Sequence, residues 1–223
     1  MLIGSNRKLA KNTTLSISIL NHNIDSVSSF KYLGVFLSSD FTWSEHVEYV
    51  TNKVNQRLSL LSGRIKHLLA CKSRLLFYNS LVLPLFDYAD TIWGDKNNTS
   101  LISSLQILQN KAAKIILDKQ LHSSATETLT ALKWISLVQR RFQRRCIFVY
   151  KCLNGLLNHH MNLQMNKEQD EYNTRNKDHL RLHKVTKTKV RLSSGQRLKL
   201  NKDIRNSESI NIFKKRVFSY IIQ

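Results

Sequence analysis

Two segments within the first 41 residues have side-chain patterns that predict β-strands. Residues 15–19 alternate aliphatic side chains with serines, and this period of two is typical of a half-buried strand. Residues 21–23 predict a turn, and the aromatic and aliphatic run over residues 30–37 predicts a second strand, in which Gly34 would relieve crowding. Two or three short strands are marginal alone, so this β unit is expected to pack on another element.

From residue 42 the apolar residues recur at spacings of three and four, which predicts helices. Residues 42–45 match a capping box, and Pro84 is expected to end or kink a helix because proline lacks the N–H donor. Helix should therefore dominate, giving a mainly α protein with a small N-terminal β hairpin or meander, an α+β class. The apolar face of the first helix is predicted to contain Val47, Val50, Val54, Leu58 and Leu61. Other predicted helices run from Lys72 to Leu83, begin near Thr99, Ser124 and Ser136, and close the chain at residues 210–218.

The helix predicted over about residues 137–153 carries both an apolar face and a run of arginines. The predicted apolar face is Val138, Phe142, Cys146, Val149 and Leu153, and the arginines are Arg140, Arg141, Arg144 and Arg145. The arginines form two like-charge pairs at i,i+4, and each pair destabilises an isolated helix by a few tenths of a kcal/mol. A bound phosphate would offset this repulsion, because it matches the forked donors of arginine. The alternative is a solvated face balanced by acidic residues elsewhere in the fold.

The net charge favours a polyanionic partner. The 223 residues contain 35 Lys and Arg against 15 Asp and Glu, which gives a formal charge of +20. A folded domain of this charge attracts polyanions, of which nucleic acid is the commonest inside cells, although a merely soluble basic protein is the alternative. Lys111, Lys114 and Lys119 form a second, weaker basic face that is equally consistent with ordinary exposed lysines.

Cysteine content and hydropathy predict an intracellular protein. Cys71, Cys146 and Cys152 are too few and too irregular for a disulfide framework, which favours the nucleus or cytoplasm over secretion. The start of the chain lacks the apolar core of a signal peptide, and the longest apolar run, residues 75–86, is too short to span a membrane. We therefore expect neither secretion nor a membrane partner.

Motifs for catalysis and metal binding are missing from the sequence. Cys146, Cys152 and the pair His159 and His160 do not have the spacing of a zinc site. There is no nucleophile elbow, phosphate-binding loop or dinucleotide-binding motif. Two-metal polymerase chemistry needs clustered aspartates, and no Asp-Asp pair occurs. The sequence thus predicts no catalytic residue, no metal site and no cofactor in this chain.

Four sequence motifs, which we call landmarks, resemble in content and order the C-terminal part of jockey-like non-long-terminal-repeat retrotransposon reverse transcriptases. The resemblance covers residues 1 to about 157. The first is the opening MLIGSNRKLAK, and the second is the KYLGV block at residues 31–35 with Trp43 and His46 downstream. The third is a P-x₃-Y…WG signature, and the fourth is the LQNKAxRxI-like helix over residues 105–116. The signature consists of Pro84, Tyr88, Trp93 and Gly94, and the helix contains Gln109, Lys111, Ala112 and Lys114.

The resemblance implies binding roles for two of these segments. The KYLGV block would form a β-hairpin resembling the primer grip, with Lys31, Tyr32, Leu33 and Gly34 near the primer end. The following helices would form a thumb that holds the template–primer duplex. Considered without the resemblance, Tyr32 and Phe36 are predicted to pack in a core as ordinary β-formers.

The resemblance also implies a domain division and a missing catalytic part. Residues 1–41 would be a palm remnant, 42–157 a thumb-like helical bundle, and 158–223 a basic, weakly structured region with a short terminal helix. The family's catalytic aspartates lie upstream of the position of Met1, and its WN-x-LP signature is replaced around residues 195–201. The intact parent enzyme would use Mg²⁺ and dNTPs, and its fingers and palm are a further expected partner.

These observations predict a fragment of an RNA-directed DNA polymerase that binds RNA–DNA or another duplex without sequence specificity and does not catalyse by itself. Its predicted nucleic-acid contacts are Lys31, Tyr32, Leu33, Gly34, Lys111, Lys114, Arg140, Arg141, Arg144 and Arg145. Two alternatives stay open at this stage. The chain would be either a host-adapted nucleic-acid-binding or interaction protein, or a decayed reading frame without selected function.

Overall fold

The computed structural model describes residues 1–4, 9, 17–64, 66–94, 99–120, 122–157, 204 and 206–222. Four short strands form two antiparallel hairpins: β1 (Ile17–Ile19) pairs with β2 (His22–Ile24), and β3 (Ser29–Tyr32) pairs with β4 (Val35–Ser38). Helices follow, so the predicted α+β class with a small N-terminal β part is confirmed. They are α1 (Ser44–Ser59), α2 (Cys71–Phe77), α3 (Leu83–Asp87), α4 (Asp90–Trp93), α5 (Thr99–Ile116), α6 (Ala125–Ala131), α7 (Leu137–Leu153) and α8 (Ile210–Ile222), with π-helical segments at Leu60–Arg64 and Tyr78–Val82.

The chain divides into two compact units. Unit 1 contains Met1–Ala89 and Asn98–Thr128, and unit 2 contains Asp90–Asn97 and Leu129–Gln223. The predicted division assigned residues 1–41 to a palm remnant and residues 42–157 to a thumb-like bundle. That assignment stays a prediction. Most of the predicted C-terminal region, 158–203, lies outside the described residues, as do residues 15 and 16 of the first predicted strand.

The first hairpin differs from its prediction in burial and in turn position. All six residues of β1 and β2 are exposed, so the expected half-buried strand is wrong over its described residues. The turn consists of Leu20 and Asn21, with φ of 50° and 65°, rather than residues 21–23. Two successive left-handed residues match the twist of a two-residue hairpin, and asparagine tolerates that conformation well.

The second predicted strand is a hairpin, as the resemblance implied. Leu33 and Gly34 form its turn, with φ of 46° and 79°. Gly34 therefore serves a left-handed turn position, and the prediction that it relieves crowding within a strand is wrong. Tyr32 is exposed rather than in a core, whereas Phe36 is half-buried against the Tyr49 ring of α1, with centroids 5.2 Å apart.

The core of unit 1 follows the predicted helical spacing. All five apolar residues predicted for the first helical stretch are buried, and α5 begins at Thr99 as expected. The capping box at residues 42–45 is wrong: α1 begins after Trp43, which has a left-handed backbone and gives no side-chain cap, while the Thr42 hydroxyl bonds the Asp40 carboxylate at 3.0 Å. Helical structure continues past Pro84, which lies in the first turn of α3, where its missing N–H is tolerated.

Unit 2 is built on α7 and α8. The capping box at Ser136 is confirmed, since its hydroxyl accepts from the Gln139 backbone N–H while the Gln139 side chain accepts from the Ser136 N–H. The closing helix is also confirmed and runs four residues further than predicted, to Ile222. Tyr150 stacks on Phe213 with centroids 4.2 Å apart. The buried cluster joining α7, α8 and the preceding segment is Cys146, Tyr150, Ile204, Phe213 and Val217.

The predicted apolar face of α7 is wrong in part. Cys146 is buried as expected, but Val138 and Leu153 are exposed. Leu137, Tyr150 and the predicted phosphate ligand Arg141 are buried instead. Burial on α7 follows its two neighbours, because α8 covers one side of the helix and α4 covers another.

Candidate nucleic-acid interface

The β3–β4 turn is held by a tyrosine distant in sequence. The Tyr88 hydroxyl donates a 2.5 Å hydrogen bond to the Leu33 carbonyl. A Cβ added at Gly34 would lie 3.5 Å from the Tyr88 ring, in ordinary contact. Tyr32 and Leu33 stay exposed at this tip. The structure thus brings together the predicted hairpin residues and the tyrosine of the P-x₃-Y landmark, which sequence reasoning had not included among the site residues.

Lys31 lies beside the hairpin on two aromatic rings. Its ammonium lies 4.5 Å from the centre of the Tyr49 ring and 5.2 Å from that of Phe36, and it donates to the Tyr49 hydroxyl at 3.4 Å. These cation–π contacts hold the ammonium group in place while the residue stays exposed. Lys31 is therefore a positioned cation at the surface of unit 1.

His46 connects the same hairpin to α1. Its buried Nδ1 accepts from the Phe36 backbone N–H at 3.4 Å. Burial lowers the pKa of His46 to about 4, and the positive charge of Lys31 acts in the same direction. The imidazole is therefore neutral at neutral pH, as an acceptor at Nδ1 requires.

Lys111 and Lys114 are half-buried residues of α5. This helix and the β3–β4 hairpin both pack against α1, so the two predicted groups of unit 1 lie on separate elements with a common support. An arginine caps a carbonyl at the C-terminal end of α5: the buried Arg74 donates a hydrogen bond to the Ile115 carbonyl at 3.1 Å. This carbonyl of the last turn also accepts from the Asp118 backbone N–H at 3.3 Å, so Arg74 adds a charged donor to it.

Arg141 is a buried residue within unit 2, with 3% of its surface exposed. Its guanidinium lies 4.6 Å from the centre of the Trp93 ring. A Cβ at Gly94 would lie 3.0 Å from both Cδ and Nε of Arg141, and 2.4 Å from the Asp90 carbonyl oxygen. The Trp-Gly landmark of the sequence therefore forms a seat for this arginine, which leaves Arg141 unsuited to contact phosphate from solvent.

Two more of the predicted arginines have partners in the same unit. Nε of Arg144 lies 3.0 Å from both carboxylate oxygens of Asp90, which is 2% exposed. Arg145 donates to the Gly94 carbonyl at 3.4 Å. Arg144 therefore has an acidic partner elsewhere in the fold, and whether it also contacts phosphate stays a prediction. Sequence reasoning missed Asp90 because 54 residues separate the pair.

Half-buried basic residues continue along one side of α7. Arg140, Arg144 and Lys151 are spaced at i, i+4 and i+11, which places them on one side of a helix. We call these three residues the α7 basic strip. The described residues of unit 2 include nine Lys and Arg but only two Asp and Glu. Lys151 was missed because only the adjacent arginines stood out in the sequence.

The described residues provide no cluster suited to a metal ion. No group of three or more His, Cys, Asp or Glu comes together there. Cys146 is buried, and desolvation raises the pKa of its thiol to about 12, which keeps it protonated. Within the part of the chain that is described, no helix is long and apolar enough to cross a bilayer.

Two curated proteins of Drosophila melanogaster are similar to this chain. A probable RNA-directed DNA polymerase from transposon X-element is 30% identical over 112 aligned residues, and the alignment covers 48% of this chain and 12% of that protein. A probable RNA-directed DNA polymerase from transposon BS is 29% identical over 97 residues, which are 43% of this chain and 11% of that protein. The similarity thus spans only about a tenth of the length of either relative.

No family model matches this chain, and no solved structure matches it. The names of the two relatives nevertheless agree with the kind of protein that the sequence landmarks had indicated. Over about half its length, this chain is similar in sequence to RNA-directed DNA polymerases of transposons, and the predicted reverse-transcriptase resemblance is confirmed.

Proposed function

We propose that this chain is a nucleic-acid-binding part of a reverse-transcriptase-like protein, and that unit 2 binds the phosphate backbone of a template–primer duplex. The observation that carries the proposal is the α7 basic strip in a unit with a large excess of positive charge. Similarity to RNA-directed DNA polymerases supports nucleic acid as the polyanion. Contacts of this kind read the backbone and carry no base specificity.

The four predicted arginines have different roles in this proposal. Arg140 and Arg144 are half-buried and belong to the strip, and Arg145 adjoins it. Arg141 acts as a positioning residue, because its guanidinium packs on Trp93 beneath the α7 surface. The Asp90 carboxylate holds the Arg144 head group at Nε, which fixes the orientation of the guanidinium toward a phosphate.

Unit 1 supplies a second set of contacts in the proposal. The turn at Leu33 and Gly34 presents exposed Tyr32 beside the positioned ammonium of Lys31. A strand end would contact this tip, and Lys111 and Lys114 of α5 would add phosphate contacts. The chain contributes binding, and polymerisation would require the rest of a polymerase, with its Mg²⁺ and dNTPs.

Fluorescence anisotropy with a labelled RNA–DNA duplex across a salt series tests the role of unit 2. The double variant with Arg140→Gln and Lys151→Gln removes two cations of the strip and leaves Arg141 unchanged. We expect weaker binding, and a log–log salt slope that is less steep by about 0.9 for each phosphate that the variant no longer binds. Leaving Arg144 in place keeps the Asp90 carboxylate paired, so folding should be unaffected.

The matched control removes the same charge elsewhere. Lys72 and Lys133 are exposed and belong to neither predicted group. The variant Lys72→Gln with Lys133→Gln should keep the salt slope of the wild type. Equal slopes for the strip variant and the wild type, with circular dichroism unchanged, would show that the α7 basic strip does not bind phosphate.

A further inference from the structure

The outward face of α8 combines lysines with an aromatic ring. Phe213 and Val217 face inward and are buried against α7. Lys214, Lys215 and Phe218 are exposed, and Phe218 lies four and three positions after the two lysines, so the three side chains share one side of the helix. We call these three residues the α8 outer face. Nothing in the sequence had assigned this helix a function beyond closing the fold.

We infer that the α8 outer face binds single-stranded nucleic acid, with Phe218 stacking on a base and the two lysines contacting the flanking phosphates. Aromatic rings set among cations are the usual means of binding unpaired strands, because every base has a π-face and every nucleotide has a phosphate. The inference rests on the proposed function only in assigning nucleic acid as the partner.

An unpaired strand fits this face better than a duplex does. In a duplex the base faces are stacked inside the helix, so a protruding ring meets only sugars, phosphates and base edges. A single strand can turn one base outward onto Phe218, which is 37% exposed. Ile222, one turn further along the same side, is 59% exposed and extends the apolar contact.

Charge and burial favour nucleic acid over a lipid surface. Helix α8 contains three basic residues and no acidic residue, within a unit whose described part is strongly basic. A membrane-bound amphipathic helix inserts a wide apolar face into the lipid boundary. In α8 that apolar face, with Phe213 and Val217, is already covered by α7. The exposed apolar side chains are spread around the rest of the helix and do not form one wide face; they are Ile212, Phe218, Tyr220 and Ile222.

The test compares two rings of nearly equal exposure in the full-length chain. Phe41 is 36% exposed and belongs to none of the proposed contact groups, so Phe41→Leu is a matched control for Phe218→Leu. The probe is a fluorescein-labelled oligouridylate, which forms little structure of its own, and the RNA–DNA duplex is measured in parallel. We expect Phe218→Leu to weaken oligouridylate binding about five- to tenfold. Duplex binding should change less than about twofold, because stacking on an unpaired base is not available there.

Two further variants separate stacking from charge. Phe218→Tyr should bind oligouridylate like the wild type, because a phenol ring stacks as a phenyl ring does. Lys214→Gln with Lys215→Gln should reduce the salt slope for oligouridylate by about 0.7 for each phosphate that the variant no longer binds. Phe41→Leu should bind both probes like the wild type.

Specific outcomes would overturn the inference. Oligouridylate binding that is equal in Phe218→Leu and wild type excludes stacking at this position, and so does an equal weakening in Phe41→Leu. Binding to vesicles of phosphatidylserine and phosphatidylcholine that depends on Phe218, with no effect on oligouridylate, would assign the face to lipid instead. If the variant with Arg140→Gln and Lys151→Gln binds the duplex like the wild type, the proposed function is contradicted. The inference about Phe218 is still decided separately, by oligouridylate binding.

Discussion

The Tyr88 hydroxyl donates to the backbone carbonyl of Leu33 at 2.5 Å, which joins the end of α3 to the tip of the second hairpin. Both residues belong to landmarks that resemble parts of reverse transcriptases, and 55 positions separate them. The bond gives the tyrosine of the P-x₃-Y landmark a structural role. It holds a turn whose own two residues are in left-handed conformations and whose strands are short.

Removing that hydroxyl should destabilise unit 1 slightly. We expect Tyr88→Phe to lower the free energy of unfolding by about 1 kcal/mol, the usual net contribution of one hydrogen bond. Urea denaturation monitored by circular dichroism measures this change. Tyr32→Phe is the control, because the Tyr32 ring is exposed at the same tip and its change should stay within about 0.5 kcal/mol.

Acid should weaken the attachment of the hairpin through His46. Its pKa is about 4 in the folded chain against 6.5 when unperturbed, so the unfolded chain binds this proton more tightly. The stabilisation is complete above about pH 6.5 and is lost as the pH falls toward 4. We expect the decrease in unfolding free energy to be on the order of 1 to 3 kcal/mol.

A histidine variant checks the origin of that pH dependence. His46→Gln keeps an acceptor without the titration, so its unfolding free energy should vary less between about pH 6.5 and about pH 4. The exposed His67, replaced by Gln, serves as the comparison and should retain the slope of the wild type. Identical slopes in all three proteins would contradict a buried neutral His46.

The Asp90 and Arg144 pair should contribute to the stability of unit 2. Asp90→Asn keeps the shape but removes the charge that Arg144 contacts, and we expect the free energy of unfolding to fall by about 1 to 3 kcal/mol. Arg144→Gln should destabilise more, because the carboxylate stays buried with a charged partner removed. Guanidinium denaturation of both single variants and the double variant measures the coupling, and strictly additive effects would argue against it.

Alanine at Gly94 should be poorly tolerated. Its Cβ would lie 2.4 Å from the Asp90 carbonyl oxygen, and backbone atoms cannot move aside as a flexible side chain can. We expect Gly94→Ala to lower the free energy of unfolding by about 1 to 3 kcal/mol, as overpacking commonly does. Gly63→Ala is the matched control, since nothing lies within 4 Å of the added Cβ. Thermal unfolding of the two variants side by side distinguishes a local clash from a general intolerance of glycine substitution.

The sequence by itself determined the helices and several of their ends. Spacings of three and four placed Val54 and Leu58 on one buried face of α1, and Ser136 with Gln139 marked the start of α7. These features depend on neighbours within about one helical turn, and local spacing specifies such neighbours directly. Order among the sequence landmarks was enough to indicate the kind of protein that the Drosophila relatives represent.

Only the tertiary structure decided which charges face solvent. Four arginines within six residues look equivalent in the sequence, yet Arg141 packs on Trp93 and Arg144 pairs with Asp90. The partners come from α4, and Gly94 leaves room for the arginine because it has no Cβ. Helical periodicity fixes which residues share a side of α7, but the elements that pack against the helix decide which side is buried. Asp90 and Gly94 lie 54 and 51 residues away from the arginines that they contact, so no local pattern could identify these partners.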